Sequence, residues 1–370
     1  MSSKMRVLAT FGVRPDLIKM APVVKALKAH PDVELTVAHT GQHYDEEMSG
    51  VFLRGLMGYE PHQVYQLVER KPEWTTARLY AEITKATFKF TKQRDFDHVL
   101  VYGDHLAAQA VAVGTHLSGG PVLHHLEAGL RSYDLTMPEE MARMTIDSLA
   151  EVWHCPTEGA LNTLVDEGHN PQHVHWTGNT VVDAVREMQA RMQTTAAEPD
   201  YVVVTLHRPE NVDEGEYKLE RIVQQIVLAA SKTELVVKFL VHPRTRNRLR
   251  ATLDERVVRM MPPVCYESML QLVMNAKLVV TDSGGLQEEA CILRVPCVTI
   301  RKNTERPETL KCGANVLVTP APDGSMHEGL LPAFERRLVG PLVGDWEHPY
   351  GREPAKEVVR VLVNEHADTR

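Results

Sequence analysis

Short apolar, β-branched runs recur along the chain and alternate with longer stretches whose apolar residues return at helical spacing. "RVLATFG", "ELTVAHTG", "HVLVYGD", "VLHHLEAG" and "HVHWTGN" lie in the first half; "YVVVTLH", "LVVKFLVHP", "KLVVTDSGG" and "VPCVTIRK" lie in the second. Helical spacing governs "DLIKMAPVVKALKAH" and "ERIVQQIVLAA". A strand buried on both faces reads as a continuous apolar run, so this alternation predicts parallel sheets covered by helices. The rhythm pauses after "TGNTVVDAVREMQARM" in a small, polar stretch, then restarts at "YVVVTLH". At 370 residues the chain exceeds what one core usually organises. The expectation is an α/β protein of two Rossmann-like doubly wound domains facing a central cleft. Residues 1–182 form the first and 183–345 the second. An amphipathic helix within 346–370 ends the chain and crosses back to the first domain.

Composition narrows the partners. A net charge of -8 gives no general affinity for a polyanion, so a nucleic acid is not expected. The cysteines are five, an odd number, with no CxxC pair, which favours a reduced compartment over a disulfide framework. No run approaches the length of a membrane span, and "MSSKMRVLATFG" lacks a leader-like apolar segment. A cytoplasmic protein without membrane contact is expected.

In doubly wound sheets ligands bind beyond the carboxyl ends of strands, and chemistry-bearing residues cluster there. "VTDSGGLQEEAC" reads as strand, turn and helix. Ser283, Gly284 and Gly285 would present bare backbone N–H groups to a diphosphate, with Glu288 and Glu289 in the first helical turn for a ribose. "FGVRPDLIK" offers Arg14 and Lys19, "VYGDH" offers Asp104 and "HLEAGLRSYD" offers Glu127. In "MPEEMARMTIDSLA", Glu139 and Arg143 stand i,i+4 on one helix face. "TLHRPEN" gives His207, "LVHPRTRNR" gives His242 and Arg244, and "RKNTERPE" gives Arg306. Taken singly, each has an ordinary structural explanation; Lys19 alone reads best as a solvated helix charge, and Glu139–Arg143 as a structural salt bridge. Their recurrence at almost every strand end suits an anionic nucleotide sugar and acid–base chemistry. No metal site is expected: there is no HExxH, and adjacent His124 and His125 must point to opposite faces of their strand. GxGxxG, Walker and GxSxG signatures are missing too.

In order along the chain, "FGVRPDLIKMAPV", "TGQHYDEEM", "GDH", "HLEAGLRSYD", "MPEEMAR", "PTEGALNTLVDEG", "TGNTVVDAV", "LHRPENV", "HPRT", "TDSGGLQEEA" and "ERPET" resemble the non-hydrolysing UDP-N-acetylglucosamine 2-epimerase family. The resemblance implies a GT-B-like fold with UDP held mainly by the second domain. It also implies interconversion of UDP-GlcNAc and UDP-ManNAc by C2 proton abstraction, elimination of UDP and re-addition, with no cofactor. By motif, Arg14, His242, Arg244, Ser283, Gly284, Gly285, Glu289 and Arg306 would bind UDP. Asp104, Glu127 and Glu139 match the acid–base groups, with Lys19, Arg143 and His207 in support. A homodimer is implied as well. Alternatives from the same resemblance are a GT-B glycosyltransferase using a UDP-sugar, and a hydrolysing epimerase that releases ManNAc and UDP. The chain departs from the family pattern near the sugar, with Val13, His105 and Ala142 where threonine, threonine or serine, and asparagine are usual. "QHYDEEM" at Gln42–Met48 also departs from the basic motif of allosteric members, so activation by a second UDP-GlcNAc is not expected.

Overall fold

The computed structural model describes residues 4–42, 57, 59–192, 200–213, 218–241, 249, 257–322, 324–325, 329–339 and 345–368. The chain divides into one unit of Met1–Ala184 with Tyr350–Arg370, and a second of Val185–Pro349.

The first unit is built on a parallel sheet. Its strands are β1 (Met5–Phe11), β2 (Val33–His39), β3 (Tyr65–Gln66), β4 (His98–Tyr102), β5 (Val122–Leu126), β6 (Val152–Cys155) and β7 (Val174–Trp176). They lie side by side in the order β3-β2-β1-β4-β5-β6-β7. The helices are α1 (Arg14–Ala29), α2 (Thr76–Gln93), α3 (Leu106–Ser118), α4 (Pro138–Leu149) and α5 (Glu158–Asp166), with α6 (Val181–Arg191) running across the unit boundary. In the second unit β8 (Tyr201–Thr205), β9 (Val236–Leu240), β10 (Val258–Met261), β11 (Leu278–Thr281), β12 (Cys297–Ile300) and β13 (Asn315–Val318) follow the order β10-β9-β8-β11-β12-β13. Its helices are α7 (Pro209–Val212), α8 (Lys218–Lys232), α9 (Tyr266–Met274), α10 (Gly284–Ile292), α11 (Pro307–Lys311) and α12 (Leu330–Val339). The last helix, α13 (Pro354–Asp368), belongs to the first unit and packs against α1.

All nine apolar runs singled out in the sequence are strands, and each unit has the parallel, helix-covered sheet of a Rossmann-like, GT-B-type α/β protein. β4 is buried along its whole length, which is why "HVLVY" carries no polar alternation. In each unit the strand order reverses once, between β1 and β4 and between β8 and β11. That reversal splays the two flanking crossovers apart and leaves a crevice at the strand carboxyl ends. The loops leaving β1, β4, β8 and β11 carry most of the polar residues considered below.

One buried feature was not anticipated. Register places Leu100 opposite His124 and Leu126 opposite His154, so His98, His124 and His154 step diagonally across one face of the sheet. His98 Nδ1 meets His124 Nε2 at 2.9 Å, and His124 Nδ1 meets His154 Nε2 at 3.0 Å. His98 Nε2 reaches His366 Nδ1 of α13 at 3.0 Å. Glu365, next in that helix, bonds His173 and His175. Such a row holds together only if each ring is neutral and donates once. Burial, reinforced by neighbouring imidazoles, lowers His98 to about 4 and His154 to about 3, and holds His124 well below the usual value. His125 projects to the opposite face, where its ring meets Asp147 and the Gly103 carbonyl.

Candidate functional site

At the first unit's switch point the charges are buried and paired with one another. The Gly103 turn leaves β4 at φ +71, and Glu127 follows β5 at φ +69. A left-handed glutamate is strained, of order 1 kcal/mol, and such strain gathers at functional sites. The Glu127 and Ala128 N–H groups both donate to the His154 carbonyl, which holds the turn in place. A Cβ built on Gly103 would lie 3.6 Å from Glu127 Oε2 and 3.9 Å from Asp16 Oδ1, so the two carboxylates converge on the turn that bears Asp104.

Lys19 Nζ is 2.5 Å from Glu127 Oε1, with 11% and 8% of the two side chains exposed. The sequence reading of Lys19 as a solvated charge is therefore wrong: α1 turns it inward, beneath the end of β5. Arg143 is buried between two carboxylates, Asp104 at 2.6 Å and Glu140 at 2.5 Å. Here too the structure corrects the expectation. The Arg143 partner in α4 is Glu140 at i,i+3, whereas Glu139 is exposed in the first turn of the helix. Glu140 also accepts from the Ser132 and Tyr133 N–H groups and the Ser132 hydroxyl. Burial works against its ionisation, but these donors outweigh it and lower its pKa, fixing Glu140 as a charged strut. Asp104 keeps 31% of its side chain exposed.

Two further contacts set the turn after β1. Asp16 accepts from the Gly12 and Val13 N–H groups and pairs with His105 Nε2. His105 is also the N-cap of α3, its Nδ1 accepting from Ala108 N–H. Burial opposes charge on His105, but the Asp16 carboxylate outweighs it and raises the pKa. Behind Gly103, fully buried His125 bridges its carbonyl at 2.9 Å and Asp147 at 2.6 Å. Asp147 in turn holds Arg131 at 2.7 Å.

At the second switch point the charges hold loops. Asp282, completely buried, accepts from the His207 and Arg208 N–H groups and from Asn211 Nδ2, and lies 2.8 Å from His207 Nδ1. It thus ties the turn after β8 to the turn after β11. Burial raises the cost of its charge, yet the His207 and Asn211 bonds more than offset that and lower its pKa. The His207 ring itself is 62% exposed. Ser283 is the N-cap of α10, accepting from Leu286 N–H, so the helix starts at Gly284. A Cβ on Gly284 would press on Glu305 Oε1 at 3.0 Å, whereas one on Gly285 meets nothing within 4 Å. Packing therefore explains glycine at 284 but not at 285, where the open side of the helix N-terminus suits an approaching anion.

Glu288 and Glu289 fall in the second turn of α10, not the first, because the helix begins earlier than expected. Glu288 is buried against Arg306, while Glu289 is half-buried beside Tyr266. The Arg306 guanidinium thus already has a protein carboxylate. Next to it, Glu305 receives Arg301 at 2.6 Å and Arg208 at 3.3 Å. Burial is again opposed, here by Arg306, Arg301 and Arg208, and the Glu305 carboxyl falls to about 2.

His242, Arg244, the side chain of Arg14, and the segments from His43 to Met48 and across most of "GVFLRGLMGY" lie outside the described residues. Sequence reasoning missed Asp16, Glu140, Asp147, Asp282 and Glu305. For Asp16, Glu140, Asp282 and Glu305 the available signal was position, one to five residues beyond a strand or at a helix start, whereas Asp147, near the end of α4, carried no such signal.

Comparison with known proteins gives a consistent result. The family model described as UDP-N-acetylglucosamine 2-epimerase matches residues 25–362. The UDP-N-acetylglucosamine 2-epimerase of Methanocaldococcus jannaschii is 35% identical, covering 97% of this chain and 99% of its own length. The crystal structure of the Methanocaldococcus jannaschii UDP-GlcNAc 2-epimerase in complex with UDP-GlcNAc and UDP aligns with a TM-score of 0.84 at 34% identity, over 97% of this chain and 100% of that one. The UDP-2,3-diacetamido-2,3-dideoxy-D-glucuronate 2-epimerase of Pseudomonas aeruginosa is 34% identical over 94% of this chain and 96% of its own. With this similarity running through both sheets and both switch points, the chain belongs to the UDP-N-acetylglucosamine 2-epimerase family.

Proposed function

We propose that the protein is an isomerase that interconverts UDP-GlcNAc and UDP-ManNAc. The observation that carries this reading is the convergence of Glu127 and Asp16 on the turn that bears Asp104, with Lys19 and Arg143 supplying buried positive charge. The C2 proton of the sugar is weakly acidic, so a carboxylate must lie close to it while the departing diphosphate is stabilised. Asp104, Glu127 and Glu139 are the candidates for the proton transfers. Removal of the C2 proton with cleavage of the C1–oxygen bond leaves a 2-acetamidoglucal and UDP. Return of UDP to C1 and of a proton to the other face of C2 gives the epimer, which calls for proton exchange on both faces. Lys19 is paired with Glu127, and Arg143 with Asp104. Ser283, Gly284, Gly285 and His207 hold the diphosphate and Glu289 the ribose, with Arg14, His242, Arg244 and Arg306 completing the UDP set. We also propose a homodimer in the cytoplasm. Among the described residues no helix is long and apolar enough to cross a membrane.

Proton NMR of UDP-GlcNAc incubated with the protein in D2O tests the reaction. The expected result is appearance of UDP-ManNAc with loss of the C2 proton signal. Free ManNAc with UDP would replace this reading by the hydrolysing reaction. An untouched C2 proton on a bound substrate would overturn it in favour of group transfer.

A further inference from the structure

The second unit carries a thiol pair that the proposed reaction does not use. Cys291 closes the penultimate position of α10 and is fully buried. Cys312 caps α11 and is partly exposed. Their sulfurs are 3.7 Å apart, although 21 residues separate them in the chain. The thiols therefore touch from two different helices, one on a fully buried residue and the other on a partly exposed one. This asymmetry matches a pair in which the outer thiol reacts first and the inner one resolves the product.

The surroundings favour that order. A hydrogen bond from Cys291 stabilises the Cys312 thiolate; burial opposes it and the Ala314 N–H supports it, with the net effect of lowering Cys312 to about 7. The Cys291 thiol is pushed upward, first by its bond to Cys312 and then by burial. Of the two thiols, Cys312 is therefore the one favoured as nucleophile, with Cys291 held protonated behind it.

We infer that Cys291 and Cys312 form a site for reversible oxidation by small-molecule disulfides, and that the resulting cross-link weakens the nucleotide half-site. The Cys312 thiolate attacks one sulfur of glutathione disulfide, forms a mixed disulfide and expels one glutathione thiolate. Cys291 then passes its proton to solvent, attacks the Cys312 sulfur and expels the second glutathione. Two protein thiols become one disulfide, and the two electrons reside on two glutathione thiols, which recover the two protons.

The effect on the nucleotide half-site rests on the function proposed above and follows from where the cross-link lies. A disulfide requires the sulfurs to close to about 2 Å. The movement falls on the distal ends of α10 and α11. The other end of α10 is the Ser283–Gly285 turn, and the N-cap of α11 is Arg306, joined to Glu288 of α10. The Cys291 carbonyl also anchors the Trp346 indole N–H at 3.0 Å, so the helix end cannot shift without disturbing that bond. Drawing these two helix ends together re-aims the α10 N-terminus.

The test uses the full chain carrying Cys265→Ser, which removes an exposed thiol outside the pair. Protein is equilibrated with glutathione disulfide, digested and analysed by mass spectrometry, while UDP affinity is measured by calorimetry before and after oxidation. The expected result is a cross-linked Cys291–Cys312 peptide pair, UDP affinity reduced at least threefold, and recovery of both on adding dithiothreitol. Adding Cys312→Ser should abolish the cross-link and the affinity change together. Absence of the cross-link, with only a stable glutathione adduct, overturns the oxidation site. A cross-link that leaves UDP affinity unchanged overturns its control of the nucleotide half-site. Failure of the reduced protein to bind UDP would instead strike the functional reading, while the peptide mass still decides the disulfide.

Discussion

The two switch points use carboxylates in opposite ways. In the first unit Asp104 pairs with Arg143 and Glu127 with Lys19, at a turn strained into the left-handed region. In the second, Asp282 and Glu305 are each enclosed by several donors and serve to hold loops. A carboxylate left partly exposed, as Asp104 is, can exchange a proton with a substrate; one surrounded by three or four donors cannot do so without loosening the fold. The contrast supports the proposal that proton chemistry belongs to the first unit and ligand holding to the second.

The largest expected effect comes from removing the acids proposed for proton transfer. Glu127→Gln and Asp104→Asn should each lower turnover about 1,000-fold, in the range of a lost acid–base group, while UDP affinity stays within about threefold. Steady-state kinetics and calorimetry on the same preparations read both numbers; a matching fall in UDP affinity would erase the distinction between the units. Next is Lys19→Met, which leaves Glu127 buried without its cation. A loss of about 3 kcal/mol in unfolding free energy is expected for the first unit, and a smaller loss in urea denaturation would mean that water already solvates the pair.

Gly285→Val sharpens the comparison from the other side. A Cβ at 285 meets no atom within 4 Å beyond its own helix turn, so thermal stability should change little, whereas UDP affinity should drop about 50-fold, worth about 2.3 kcal/mol. Unchanged affinity would place the diphosphate elsewhere.

The last expected effect, spread over a pH range and without consequence for the reaction, concerns the histidine row of the first unit. His98, His124 and His154 are neutral in the fold but take up protons near pH 6.5 once unfolded, so acid favours the unfolded chain. Their stabilisation is present above about pH 6.5 and is lost as pH falls toward 4, each ring contributing about 1.4 kcal/mol per pH unit. The groups facing the row are His366, Asp97, His175 and His125, with Glu365 bridging His173 and His175. Calorimetric melting between pH 7 and 4.5 should show a slope that His124→Leu reduces; an identical slope in the variant would refute neutral burial.

Much of this was legible in the chain itself. The long strands announce themselves because β-branched runs such as "YVVVT" have nowhere to go but a doubly covered sheet. Asp104, Glu127, His207 and Ser283 were singled out because strand ends are where such folds bind ligands. Four strands escaped notice: β3 has only two residues, and "VWHC", "VRMM" and "NVLV" are too short or too mixed to show a period. The choice between Glu139 and Glu140 was beyond sequence, since both fit the helix and only the fold of the Ser132–Tyr133 turn delivers donors to one of them. The buried Lys19 and the histidine row depend on helix rotation and strand register, which no local pattern encodes.

The most direct test of the division of labour is to measure C2 deuterium exchange of UDP-GlcNAc in D2O and UDP affinity side by side for Glu127→Gln and Gly285→Val. The account predicts a crossed pattern: Glu127→Gln binds UDP normally and exchanges no C2 proton, while Gly285→Val binds UDP poorly yet still exchanges C2 when saturated with substrate. If Glu127→Gln loses UDP binding, or exchanges at the wild-type rate, the assignment of proton chemistry to the first unit is wrong.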